Sequence, residues 1–152
     1  MDEPIKNLES WTDLATKQFL QNIVNKKQKF DRYKKYHLTI MWTTIFLGAA
    51  FIMYSYYFYF VPYSHSFFEM FSNFVDEFFN MVFFLIVISA FGFMNVLKKK
   101  MDKYEDEYHA LRRELVDKSK DLWKSQEAWS KRHLVFQMMK EKYDINLYHE
   151  NK

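Results

Sequence analysis

Two long stretches of the chain, residues 38–61 and 78–97, contain no Asp, Glu, Lys, Arg or His. A helix needs about 20 apolar residues to cross a hydrocarbon core of roughly 30 Å, and both stretches meet that length. Charged residues make up 27% of the whole chain, but they are confined to the segments around these stretches. The pattern predicts two transmembrane helices, one at 38–61 and one at 78–97.

The charges beside the two stretches predict their orientation. Lysines precede the first stretch and follow the second, whereas the connector at 62–77 carries Glu69, Asp76 and Glu77 and no Lys or Arg. Because Lys and Arg accumulate on the cytoplasmic side of a span, we expect a multi-pass protein of the cell membrane with both termini in the cytoplasm. Basic residues near the spans are candidate contacts for anionic lipid: Lys26, Lys27, Lys34, Lys35, Lys98, Lys99 and Lys100.

The N-terminal segment, residues 1–37, has the pattern of an amphipathic helix. Apolar residues recur on one side of this helix, with lysines filling most of the rest: Trp11, Ala15, Phe19, Ile23, Phe30 and Tyr33. Such a stripe packs on a partner helix, and the basic part next to the span is also suited to a membrane surface. The two roles are compatible.

The connector at 62–77 predicts a turn followed by a short helix. Pro62 ends the first span because proline cannot continue a helix interior without losing a hydrogen bond. Ser66 and Glu69 then form a capping box, and phenylalanines at helical spacing predict an amphipathic helix that leads into the second span. Small residues predict where the two spans approach each other: Gly48, Ala49, Ala50, Ser89, Ala90 and Gly92.

Residues 98–152 contain no Pro or Gly, so the second span is expected to continue as a long cytoplasmic helix to Tyr143, with a frayed tail after Asp144. Apolar residues recur at every seventh position, as in a coiled coil. This predicted pairing seam contains Met101, Tyr108, Leu115, Leu122, Trp129 and Phe136. Its expected partner is the N-terminal helix, another copy of the chain or an unknown protein.

Asp76 and Glu77 are the candidate functional acids. If the hairpin turned tightly at 63–64, Asp76 would lie opposite Phe51, well inside the first span. A carboxylate at that depth costs several kcal/mol, and acidic side chains at a pore mouth attract cations. The other interpretation is that residues 54–79 form an arm outside the hydrocarbon, in which case both acids are simply hydrated.

The remaining residue types argue against catalysis and cofactor binding. The chain has no Cys, and two glycines are too few for a phosphate-binding loop. His65 and Glu69 alone do not make a metal site. The Lys98–Lys100 block could contact nucleic acid, but its position just inside a span explains it fully. We therefore expect no enzyme, no cofactor, no metal and no nucleic-acid partner.

The residues Trp11-Thr12-Asp13, Thr16, Lys26-Lys27, Lys29 and Asp31, followed by a charge-free hairpin and a charged helix, carry a family resemblance. The chain resembles the YpbF-like family of small uncharacterised membrane proteins of Bacillus-type bacteria, which implies two spans and no assigned activity. The order of elements also resembles calcium uniporter subunits and bacterial two-span effector domains, although the uniporter's W-D-I-M-E-P signature is absent.

The predicted fold is all-α. It consists of a two-span transmembrane helical hairpin, an N-terminal amphipathic helix and a long C-terminal cytoplasmic helix resembling a coiled coil. The predicted function is that of a non-enzymatic integral membrane interaction or scaffold protein. The alternative is a small oligomeric cation pore, or a two-span membrane effector, with Asp76 and Glu77 at the outer mouth.

Overall fold

A computed structural model describes residues 1–148 of the chain, and every regular element within that range is helical. The prediction of an all-α protein is thus confirmed. The elements are α1 (Glu3–Lys6), α2 (Leu14–Ser55), a π-helical turn (Tyr56–Phe60), α3 (Phe67–Asp76), α4 (Phe78–Asp117), α5 (Ser119–Leu122) and α6 (Gln126–Tyr143).

Two helices are long and apolar enough to cross a membrane, Leu14–Phe60 and Phe78–Asp117. Within the most apolar 18 residues of each helix, only 17% and 11% are buried by the rest of the chain, whereas the core helix of a soluble protein is mostly buried. The predicted N-terminal helix and first span form one continuous helix, since α2 has no interruption near residue 37.

The chain divides into two compact units. The first, called here the arm unit, contains Met1–Arg32 and the described residues from Met101 onward. The second, the hairpin unit, contains Tyr33–Lys100 and thus both uncharged stretches.

The arm unit has a hydrophobic core to which both ends of the chain contribute. Asp13 caps α2 by accepting a hydrogen bond from the Thr16 amide at 2.8 Å, so the helix begins just before its buried face. That face consists of Thr16, Leu20, Ile23 and Val24, each at most 1% exposed. The same core contains Ile5, Tyr108, Leu115, Trp123, Ala128, Val135, Phe136, Met139, Ile145 and Leu147.

The long C-terminal helix differs from the prediction, because the helix is interrupted between Asp117 and Gln126, where only the short helix α5 forms. Ser125 starts α6 by accepting a hydrogen bond from the Ala128 amide at 3.1 Å. The break buries Trp123 to 1% exposure and lets α6 contribute to the core that contains Leu115. Burial of this large ring stabilises the turn, although its indole N–H has no hydrogen-bond partner among the described residues.

The predicted fraying after Asp144 is wrong for the residues that follow immediately. Asp144 adopts a left-handed conformation with φ of 56°, which ends α6, and the Ile145 amide donates to the Met139 carbonyl at 3.1 Å. Ile145 and Leu147 are then 0% and 1% exposed in the core. Positions 149–152 of the predicted tail lie outside the described residues.

Aromatic contacts hold the hairpin unit together. The Phe51 ring lies 5.1 Å from the Phe83 ring and 6.1 Å from the Phe74 ring, measured between centroids. A Cβ added at Gly48 or Gly92 would meet no atom within 4 Å, so neither glycine marks a close helix contact. The prediction that these small residues mark the approach of the spans therefore fails at both glycines, because large aromatic rings fill the contact.

The connector helix α3 begins as predicted, with Ser66 accepting a hydrogen bond from the Glu69 amide at 3.3 Å. At the other end, the Asn80 side-chain amide donates to the Phe74 carbonyl at 2.9 Å. Asn80 is 1% exposed and thereby fixes the bend between α3 and α4 from inside the unit.

Candidate functional site

Beside the shared core, an ion pair and a ring contact join the two arms in the arm unit. The Lys26 ammonium pairs with the Glu107 carboxylate, and the Phe30 and Tyr108 rings stack with centroids 6.4 Å apart. The hydrogen bond from Lys26 lowers the pKa of Glu107, and burial raises the pKa of Tyr108. Charge and aromatic packing therefore connect α2 with α4 at the same level.

Lys27 lies beside this contact and does not extend freely into solvent. Its ammonium pairs with Asp31 at 2.9 Å and lies 5.6 and 5.8 Å from the ring centroids of Phe30 and Tyr108. Lys26 and Lys27, two of the predicted lipid contacts, thus have partners within the arm unit. The other five predicted contacts, Lys34, Lys35, Lys98, Lys99 and Lys100, are exposed in the hairpin unit, where the Lys100 ammonium lies 5.9 Å from the Tyr33 ring centroid.

The predicted pairing seam is divided among three elements. Tyr108 and Leu115 are buried on α4, and Phe136 is buried on α6. Leu122 and Trp129 pack partly buried against the same core, whereas Met101 is partly exposed and lies outside it. Most of the seam is therefore covered by the chain's own helices. The seam does not run along one continuous helix, because the helix is interrupted between α4 and α6.

Asp76 and Glu77 are exposed at the junction of α3 and α4. The Ser72 hydroxyl donates a hydrogen bond to the Asp76 carboxylate at 3.2 Å. Phe78 precedes Leu97 by 19 residues, which is about 28 Å of helix at 1.5 Å per residue. If Leu97 lies at the inner edge of a hydrocarbon core of roughly 30 Å, both acids lie at its outer edge. This position argues against carboxylates deep inside the first span, and it fits both a hydrated arm and an outer pore mouth.

A cleft of about 450 Å³ lies on the arm unit, beside α6. The Arg132 guanidinium stacks on the Trp129 ring at 3.4 Å, and the Tyr148 hydroxyl donates to the His133 carbonyl at 2.8 Å. The Ser130 hydroxyl donates to the Glu127 carbonyl, so it is not paired with a basic nitrogen that would activate it as a nucleophile. Polar and apolar side chains both line the cleft, and these hydrogen bonds lie within the arm unit itself.

Within residues 1–148, no group of three or more His, Cys, Asp or Glu side chains is placed to hold a metal ion. His65 and Glu69 do approach each other, at 3.2 Å between the imidazole and the carboxylate, on the exposed surface at the start of α3.

Sequence reasoning missed several residues that organise these contacts. Leu20 and Val24 form the buried face of α2 although the predicted stripe passed beside them. Their adjacency to Ile23 at spacings of three and one was a usable signal for a wider buried face. Glu107 and Asn80 had no comparable signal, because an ion pair across 81 positions and a bend in the chain depend on the tertiary fold.

The similarity of the chain to known proteins extends over its length. Residues 19–150 match the family described as protein of unknown function DUF2663. The chain is 35% identical over 153 residues to the uncharacterized protein YpbF of Bacillus subtilis strain 168, with all of both chains covered. No solved structure matches it. The resemblance predicted from the N-terminal residues and the hairpin is confirmed, and the chain belongs to the DUF2663 family.

Proposed function

We propose that this chain is a non-enzymatic interaction protein of the cell membrane, anchored by a two-span hairpin that carries a folded cytoplasmic arm unit. The observation that carries the proposal is the shared core of the arm unit, in which Leu20 from the N-terminal arm and Leu115 from the C-terminal arm are both 0% exposed. Two ends that fold together must lie on the same side of a membrane, which agrees with an even number of spans.

The exposed apolar surface of the hairpin unit supports the membrane part of the proposal. Phe46, Ile52 and Phe58 are 74%, 69% and 63% exposed on α2 and its π-helical turn, and Leu85 on α4 is 60% exposed. A single soluble chain rarely leaves a contiguous apolar surface of this kind uncovered. The basic residues beside the spans support a cytoplasmic position for both termini.

The topology is tested by reporter fusions at Lys6, at Ser66 and at the C terminus, which should report inside, outside and inside. An extracytoplasmic signal from either terminal fusion would refute the hairpin. Because the two ends share one core, a split result with one terminus on each side would also refute the folded arm unit.

The interaction role is tested by crosslinking in intact cells with a variant whose arm unit is disrupted. Leu115→Asp places a charge in the core of the arm unit and leaves both spans unchanged, so partner crosslinks seen with the native chain should be lost. Arg113→Asp, at an exposed position of the same helix, is the matched control and should keep them. The same crosslinks from the native chain and from Leu115→Asp would contradict an interaction role for the folded arms.

A further inference from the structure

The connector helix α3 has an apolar face that the hairpin unit only partly covers. Phe74 points toward the spans, with its ring 5.4 Å from the Tyr59 ring and 6.1 Å from the Phe51 ring. Phe67, Phe68 and Phe71 are 76%, 79% and 56% exposed on the adjoining part of the helix. The apolar face of α3 is therefore wider than the part of it that packs against the two long helices.

The other face of α3 is polar and free of basic side chains. Glu69, Ser72, Asn73 and Asp76 occupy it, following the period of an α-helix. Attraction to anionic headgroups therefore cannot hold this helix at a membrane, because both of its charges are negative. Only its apolar face can do so.

The ends of the connector leave the two spans at similar heights. Phe60 lies 22 residues after Leu38, about 33 Å along the helix, and Phe78 lies about 28 Å from Leu97. Both distances are close to the roughly 30 Å of a hydrocarbon core. Ten residues of α3 connect these heights, so the helix lies near the outer boundary of the bilayer.

From these observations we infer that α3 is a third membrane contact, an interfacial helix whose phenylalanine face is immersed in the acyl chains of the outer leaflet. The inference rests on the proposed membrane hairpin. The rings of Tyr57 and Phe60 on the π-helical turn before α3 and of Phe78 at the start of α4 are exposed as well, so the lipid that surrounds the spans also covers α3. Anchoring is hydrophobic and independent of the anionic lipid content.

The chain contains no cysteine, so single-cysteine variants of the full-length protein report one position each. Phe68 and Asn73 are both exposed on α3 but lie on opposite faces, and neither contributes to the core. In intact cells, a membrane-impermeant maleimide should label Asn73→Cys at least tenfold faster than Phe68→Cys. After denaturation in detergent the two variants should label equally, which controls for expression and intrinsic thiol reactivity.

Phe46→Cys separates failure of the inference from failure of the proposed function. Phe46 is 74% exposed in the middle of the first span and should resist labelling. Equal labelling of Phe68→Cys and Asn73→Cys, with Phe46→Cys protected, would overturn the interfacial helix alone. Rapid labelling of Phe46→Cys, or labelling of Asn73→Cys only after permeabilisation, would overturn the proposed hairpin and the inference with it.

A second copy of the chain is the competing occupant of the phenylalanine face. Oxidation of Phe68→Cys would then give a disulfide-linked dimer, and that outcome would overturn the inference. With lipid as the occupant, the oxidised protein stays monomeric. A nitrobenzoxadiazole label at Phe68→Cys in phosphatidylcholine vesicles should also be quenched at least twofold more by spin-labelled acyl chains than the same label at Asn73→Cys. Equal quenching at both positions would count against immersion.

Discussion

Truncation of one leucine on each arm tests whether both ends of the chain belong to one cooperative unit. Leu20 on α2 and Leu115 on α4 are both 0% exposed and share the core of the arm unit. Replacement of a fully buried Leu by Ala costs about 2–5 kcal/mol, from lost burial and the cavity left behind. Leu20→Ala and Leu115→Ala should therefore each lower the free energy of unfolding of the same transition by about 3 kcal/mol.

Urea unfolding of the full-length protein in a mild detergent can measure this transition through tryptophan fluorescence. Trp11, Trp123 and Trp129 lie in the arm unit and only Trp42 lies in the hairpin unit, so the signal reports mainly on the arms. With a slope of about 1–3 kcal/mol per molar urea, a loss of 3 kcal/mol moves the midpoint down by about 1–3 M.

Leu134→Ala is the matched control for this experiment. Leu134 is 48% exposed on α6, so its truncation should change the free energy of unfolding by less than about 0.5 kcal/mol. If Leu115→Ala lowered the midpoint while Leu20→Ala left it unchanged, the N-terminal arm would not be part of the cooperative core. That result would remove the main argument for placing both termini on one side of the membrane.

Three further perturbations address the C-terminal cap, the ion pair and the bend. Asp144→Val should lower the free energy of unfolding by about 1–2 kcal/mol in the same urea assay, because a β-branched residue resists the left-handed conformation, whereas Asp144→Gly should not. The hydrogen bond from Lys26 lowers the pKa of Glu107, so the ionised carboxylate stabilises the fold at neutral pH, and this stabilisation is lost as the pH falls through the lowered pKa. In Glu107→Gln, the free energy of unfolding measured against pH should therefore fall less steeply on the acid side. Asn80→Ala removes the donor to the Phe74 carbonyl, costs about 1–3 kcal/mol and should speed backbone amide exchange in α3, as measured by mass spectrometry.

The sequence predicted those features that depend on local pattern. Absence of charge over a bilayer's length predicted both apolar helices, and the spacing of Ser66 and Glu69 predicted the start of α3. Seven-residue spacing correctly marked Tyr108, Leu115 and Phe136 as buried positions. These features could be predicted because each depends only on the residues of one segment and on the environment that surrounds that segment.

The break after Asp117 could not be predicted in this way. Heptad spacing continues through Leu122 and Trp129 as if one helix ran to Tyr143, and no Pro or Gly interrupts it. The chain turns because Trp123, which lies off the heptad positions, gains full burial against Phe136, with ring centroids 5.8 Å apart. This ring contact forms only once the chain has turned, so no periodic pattern in the sequence predicts the turn.

The depth of Asp76 and Glu77 in a membrane could not be predicted from the sequence either, because it depends on the tertiary fold. A tight turn at 63–64 would place Asp76 opposite Phe51, but α3 takes up the intervening residues, and the Phe51 ring meets the rings of Phe83 on α4 and Phe74 on α3. Phe83 lies five residues after Phe78, the first residue of α4, about 8 Å along the helix at 1.5 Å per residue. In the proposed membrane hairpin, that distance separates the acids from the level of Phe51 and puts them near the outer boundary of the hydrocarbon, where carboxylates are hydrated and the inferred phenylalanine face of α3 meets lipid. The short connector helix thus sets the depth of these acids, and its own fold depends on contacts such as the Phe51–Phe74 ring pair that no local pattern predicts.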